Sequence, residues 1–191
     1  MKLKESSLRM KEILGLESEP VAVFLLENND GRIDVNFAKA SGHRYCQVLM
    51  RARRGESILL EPEGLACPAA AAAFGFRSLP EALATGKGLG GYGIVTKPDT
   101  GRAIFDGMPR LEPGRVAAIA ATPLREARAV PDVVVVEGNP EQLMWIALAD
   151  LNVADGARRK GDTAVLQATC VDATVIPHLE QRLNFSLGCY G

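Results

Sequence analysis

The chain has 191 residues, 47% of them hydrophobic and 24% charged, with a formal net charge of −1. That balance leaves no electrostatic footprint for nucleic acid or an anionic membrane, and the length suits one domain or two small halves sharing a core. The longest apolar runs, "VAAIAATPL" and "VVVV", fall far short of the roughly 20 residues that cross a bilayer.

Residues 3–16 place Leu3, Met10, Ile13, Leu14 and Leu16 at helical spacing, with Gly15 near the end. No uninterrupted apolar region follows the early lysines, so this start reads as a charged amphipathic helix and not a signal peptide. The expected location is the cytoplasm. After Pro20, "VAVFLLE" reads as a buried strand and residues 30–43 as an irregular excursion. "RYCQVLMRARRG" predicts a helix whose arginines and glycine suit its C-terminus. "ESILLE" predicts a strand, "PEG" a turn, and "ACPAAAAAFGF" a short helix with Pro68 in its first turn. "LPEALATGKG" is a further short helix, and "GRVAAIAATPL" and "PDVVVVEG" are strands. "NPEQLMWIALADLN" carries an asparagine cap and a proline at the first helical position; Met144 and Trp145 on it are expected in the core. "TAVLQATC" reads as a strand running into Cys170.

This alternation predicts an α/β or α+β fold, a mixed sheet covered by helices. Two stretches run in parallel, "PVAVFLLENN…RYCQVLMRARRGESILLE…AC" and "PDVVVVEGNPEQLMW…RRKGDTAVLQATC". They suggest a single domain, residues 1–191, with two pseudo-repeated strand–helix–strand halves at about 17–100 and 113–191. Such halves would bring Cys67 and Cys170 face to face.

The four cysteines are Cys46, Cys67, Cys170 and Cys189. In a reducing compartment they read as thiols, catalytic groups or metal ligands before disulfides. None forms a Cys-x-x-Cys pair, so the zinc-ribbon and thioredoxin spacings are absent. Cys67 follows a strand and opens a helix, a setting that favours thiolates, and Cys67–Pro68 resembles the end of a ferredoxin ligand run. Cys189 stands between Gly188 and the Tyr190–Gly191 end, where glycine lets backbone approach a bulky centre.

The strings "CQVLMRARRGE", "ACPAAAAAFGF", "PDVVVVEGNPEQLMW" and "LNFSLGCYG" resemble the bacterial and archaeal family called domain of unknown function 169, over roughly residues 5–191. Cysteines at the positions of Cys46, Cys67, Cys170 and Cys189 match that family's pattern. The resemblance supports treating the cysteines as a set and supplies no reaction. A tetrathiolate [4Fe–4S] cluster tolerates scattered ligands, and it becomes the expected cofactor, with zinc or no metal as the alternatives. The expected function is an iron–sulfur protein with a redox, electron-transfer or sulfur-chemistry role. The alternative is a cluster-free, cysteine-dependent redox enzyme or a small-ligand binding module.

"GKGLGGYG" has the glycine density of a phosphate-cradling loop without the Walker spacing. Gly88, Gly90, Gly91 and Tyr92 are its candidate ligand contacts, with a packed loop as the plainer reading. Asp132 and Glu137 flank a buried strand, and His43 stands three residues before Cys46. The partners left open are a redox protein, a small molecule and a second copy of the chain; nucleic acid and membrane are not expected.

Overall fold

The fold was obtained as a computed structural model, and residues 3–33, 36–154 and 156–188 are described. The opening helix is α1 (Leu3–Leu14), followed by β1 (Val21–Leu26), β2 (Ala38–Ala40), α2 (Tyr45–Ala52) and β3 (Ile58–Leu60). Next come α3 (Pro68–Ala73), α4 (Glu81–Ala84), α5 (Lys87–Gly91), α6 (Pro98–Asp106), β4 (Ala118–Pro123) and β5 (Val133–Val135). The chain ends in α7 (Pro140–Val153), a 3-10 turn at Val165–Gln167, a π-helix at Ala168–Val175 and α8 (Ile176–Glu180).

The strands form one mixed sheet in the order β2-β3-β4-β1-β5, parallel between β2 and β3 and antiparallel elsewhere. Every residue of β1 is buried. A continuous apolar run of this kind marks a strand covered on both faces. Val21, Val23 and Leu25 join the larger core with Val48, Ile58, Phe74 and Val171, while Ala22, Phe24 and Leu26 pack on the other face with Leu3, Phe37 and Leu124. The predicted α/β class is thus the architecture observed.

Two sequence expectations change. "TAVLQATC" is not a strand. Gln167, Ala168, Cys170, Val171, Asp172, Thr174, Val175 and Ile176 are buried, a helical rather than an alternating pattern. The second half therefore has no strand matching β3 among the described residues, and the two halves do not trace the same strand–helix–strand unit. Secondly, the glycine-rich segment, read as a loop, forms helix α5 over residues 87–91. Gly86 has φ +74°, and a side chain there would collide with the backbone of Pro98 and Arg102, while one at Gly101 would collide with Gly86. These glycines let α5 and α6 approach closely.

Candidate functional site

The π-helix is the hub that brings the described cysteines into one region, since α2 and α3 both pack against it. Its register is legible in the hydrogen bonds. Ile176 donates its N–H to the carbonyl of Val171, five residues back. The next donor in that register would be residue 177, which is proline and has none. The carbonyl of Asp172 is taken instead by Nδ2 of Asn184, at 2.7 Å. Asn184 also binds both backbone groups of Asp162, so one side chain ties the C-terminal segment and the 157–164 loop to the π-helix.

Cys170 lies on this helix and is 6% exposed. Burial, and then the neighbouring Cys67 thiol, push its pKa up to about 12. Its Sγ points at the carbonyl of Gln167, 3.7 Å away. Cys67 occupies the residue before α3, with Pro68 at the first helical position as predicted, and is half-buried against the larger core. Cys46 follows the buried Tyr45 on α2. The Tyr45 ring meets Phe74 edge-on at a centroid distance of 4.8 Å, and its hydroxyl bonds Thr174 Oγ1 of the π-helix at 2.9 Å. One residue on, and about 100° round the helix, Cys46 faces a cleft.

That cleft encloses about 720 Å³. One wall is α2, β5 and the π-helix, contributing Cys46, Leu49, Val133, Val135 and Thr169; the other is α7 and the C-terminal segment, contributing Leu143, Ile146, Phe185 and Leu187. Its rim carries the ion pairs Arg53–Glu137 and Arg159–Asp150. Ser186 lies on the lining, and its Oγ is buried without a hydrogen-bond partner.

Asp132 sits between this cleft and a smaller one of about 320 Å³. It accepts from the Leu25 N–H at 2.7 Å and from Arg32 at 3.0 Å. Arg32 also grips Asp30, holding that carboxyl below its ordinary pKa. The smaller cleft adds Arg115 and His178, whose Nδ1 is buried without a partner. Asp132 is therefore a structural anchor at a site boundary, and Glu137 a rim residue.

The structure thus gathers Cys46, Cys67 and Cys170 around the π-helix without converging them. Among the described residues no group of three or more His, Cys, Asp or Glu side chains is placed to hold a metal ion. Cys189 lies outside the described residues; Gly188, just before it, lines the larger cleft with Cys46. His43 is held away from such a role by Ser41 and Arg51. Gly88, Gly90, Gly91 and Tyr92 do not line the clefts just described, and Tyr92 is 79% exposed. Sequence reasoning missed Asn184, Ser186 and Thr174; only Pro177, near the end of a buried run, hinted at an orphaned carbonyl.

No helix of the described residues is long and apolar enough to cross a membrane. No solved structure matches the chain. It is 27% identical over 191 residues, 99% of its length and 81% of the relative's, to the uncharacterised protein MJ0308 of the archaeon Methanocaldococcus jannaschii. The profile of the family described as "Uncharacterised ArCR" matches residues 9–191, nearly the whole chain, and the chain belongs to this family, domain of unknown function 169.

Proposed function

We propose that the protein is a small-ligand binding module whose site is the cleft faced by Cys46. The carrying observation is the cleft itself: about 720 Å³ falls within the roughly 300–1,000 Å³ of small-molecule sites. Its walls carry valine, leucine, isoleucine and phenylalanine, its rim is charged, and Ser186 Oγ and Glu19 Oε2 on the lining are buried without a hydrogen-bond partner among the described residues. The ligand this fits is a small organic molecule with an apolar body and a hydrogen-bonding group, bound beside a thiol. The reading takes the protein to work in the cytoplasm, where its thiols stay reduced. Anilinonaphthalene sulfonate serves as the probe. One probe should bind per chain, slow the alkylation of Cys46 by N-ethylmaleimide, and lose at least tenfold in affinity in Ile146→Arg, a wall substitution. Unchanged binding in that variant, with the fold intact by circular dichroism, overturns the reading.

A second reading, the [4Fe–4S] protein, is supported by position: Cys67 stands at the start of α3, which packs on the π-helix that carries Cys170, and Gly188 shares a cleft with Cys46. The described thiols do not fit a cluster as they stand, because no group of three or more His, Cys, Asp or Glu side chains among the described residues is placed to hold a metal ion. Anaerobically purified protein with broad absorbance near about 400 nm and stoichiometric iron would favour the cluster; colourless protein leaves the binding module.

A further inference from the structure

The charged groups along the larger cleft are unequally satisfied. Among the described residues its lining holds four carboxylates, Glu19, Asp132, Glu137 and Asp150, against three arginines, Arg53, Arg159 and Arg182, and neither lysine nor histidine. Each arginine is already ion-paired: Arg53 with Glu137, Arg159 with Asp150, and Arg182 with Asp162 and Glu180. Asp132 spends one oxygen on the Leu25 N–H and the other on Arg32. The described lining therefore keeps no spare cation for an anionic group on a ligand.

Glu19 is different. It stands two residues before β1 and donates its N–H to the carbonyl of Arg53 at 3.0 Å, which sets it beside the Arg53–Glu137 pair. It is only 7% exposed. Its Oε1 takes both Lys11 Nζ at 2.6 Å and Arg125 Nη1 at 3.0 Å, and Arg125 is shared with Glu126, so these four charges balance. Its Oε2 is buried with no hydrogen-bond partner among the described residues. A carboxylate oxygen kept from water without a donor is costly, and a ligand that brings a donor removes the cost. Ser186 Oγ, also unpartnered, is a hydroxyl that can donate or accept, so it does not discriminate. The excess of acid on the lining acts in the same direction as Glu19, because apolar walls carry such a potential into a cleft.

Resting on the small-molecule reading of this cleft, we propose that its ligand is an apolar amine, with its body along Leu49, Val135 and Ile146 and its ammonium head donating to Glu19 Oε2. A charge-assisted bond of this kind is stronger than a neutral one. A carboxylate or phosphate in the same place would meet an unpaired acceptor and no free cation. The sulfonate of anilinonaphthalene sulfonate is accommodated only where the rim opens to water, so that probe reports on the apolar walls and not on Glu19.

Three probes with one apolar body and different heads test this: phenethylamine, phenethyl alcohol and phenylacetate, each titrated by calorimetry into the wild-type chain near neutral pH. The amine should bind roughly tenfold more tightly than the alcohol, and the acid more weakly than the alcohol. In Glu19→Gln the advantage of the amine over the alcohol should shrink to about threefold or less, while Ser186→Ala should leave it in place. The ratio is taken within each variant, so a general loosening of the site does not imitate the effect, and the wild-type series decides even where Glu19→Gln folds poorly. An alcohol that binds as well as the amine, or an acid that binds best, overturns the proposal. So does an amine advantage that survives Glu19→Gln in full. In each of these outcomes the apolar site stands if anilinonaphthalene sulfonate binds and Ile146→Arg weakens it; when neither that dye nor any of the three probes binds, the small-molecule reading falls as well.

Discussion

The bond from Asn184 to the carbonyl of Asp172 makes a specific demand on stability. Asn184→Ala removes a 2.7 Å hydrogen bond to a carbonyl that the π-register and Pro177 leave without a backbone donor, along with two bonds to Asp162 of 2.9 and 2.8 Å. The first is part-buried and contributes about 1 to 1.5 kcal/mol, while the two exposed bonds contribute about 0.5 kcal/mol each. The loss is therefore about 2 kcal/mol, a fall of about 4 to 8 °C in Tm for a chain of this size. Asn184→Asp is the sharper variant. It keeps the shape but turns the donor into an acceptor facing the carbonyls of Asp162 and Asp172. Arg182, with Nη1 3.4 Å from Asn184 Oδ1, is already paired with Asp162 and Glu180 and recovers only a few tenths of a kcal/mol. The aspartate should cost at least as much as the alanine. Urea unfolding supplies the totals, and amide hydrogen exchange locates them: protection should fall first at residues 157–188, with β1 and β4 unchanged. An aspartate variant as stable as wild type would refute the assignment of Asn184 as the donor to Asp172.

Alkaline pH should destabilise the fold through Cys170. The native thiol keeps its proton to about 12, whereas in the unfolded chain it ionises near 8.5. The stability this supplies is complete below about 8.5 and falls as pH rises toward 12, by up to about 1.4 kcal/mol per pH unit. Urea midpoints between pH 8 and 10 should fall more steeply in wild type than in Cys170→Ala, and equal slopes would contradict the burial argument. The glycines separate packing from ligand contact. Gly86→Ala collides with the backbone of Pro98 and Arg102 at φ +74° and should destabilise by more than about 3 kcal/mol. Gly91→Ala has open space in a helix and should be neutral or stabilising by up to about 1 kcal/mol, as read from thermal melts.

Where one local signal decides the structure, the sequence was readable. Asn139 caps α7 as expected, accepting from the Gln142 N–H at 2.9 Å, and the Gln142 side chain accepts in return from the Asn139 N–H at 2.8 Å. Pro68 opens α3, and the unbroken apolar run of β1 is covered on both faces. Where the decision is made at a distance, reading failed. The run into Cys170 is short and apolar, which suits strand or helix equally; its helical choice is enforced by α2, α3 and Asn184, residues far along the chain. Trp145 and Met144 were expected in the core because an apolar helix usually is. Only the packing shows that α7 is half-buried along its cleft side, at Leu143 and Ile146, and exposed at Met144 and Trp145, with Gln142 reaching the carbonyls of Leu14 and Gly15. Helix α6 was not anticipated, since Gly101 interrupts its sequence and the reason for that glycine is the backbone of Gly86. Of the site, the sequence supplied Cys46 but not its neighbours, because the cleft joins residues 46 and 185 through elements whose order it does not encode locally.

The two walls of the cleft are held differently, and this bears on how it would work. Cys46 stands on α2, whose Tyr45 is locked into the core by Phe74 and Thr174, and β5 is hydrogen-bonded along the fully buried β1. This wall opens only when the core opens. The facing wall depends on Gln142 at one end and on Asn184 and Arg182 at the other, all on or near the surface. Opening free energy tracks buried apolar contact, so the second wall is the one able to yield while the thiol stays fixed. A ligand entering there would displace α7 and residues 183–188 without moving Cys46. Geometry at the sulfur would thereby be set by the folded core and independent of any motion that admitted a ligand, as a site built on rigid elements requires.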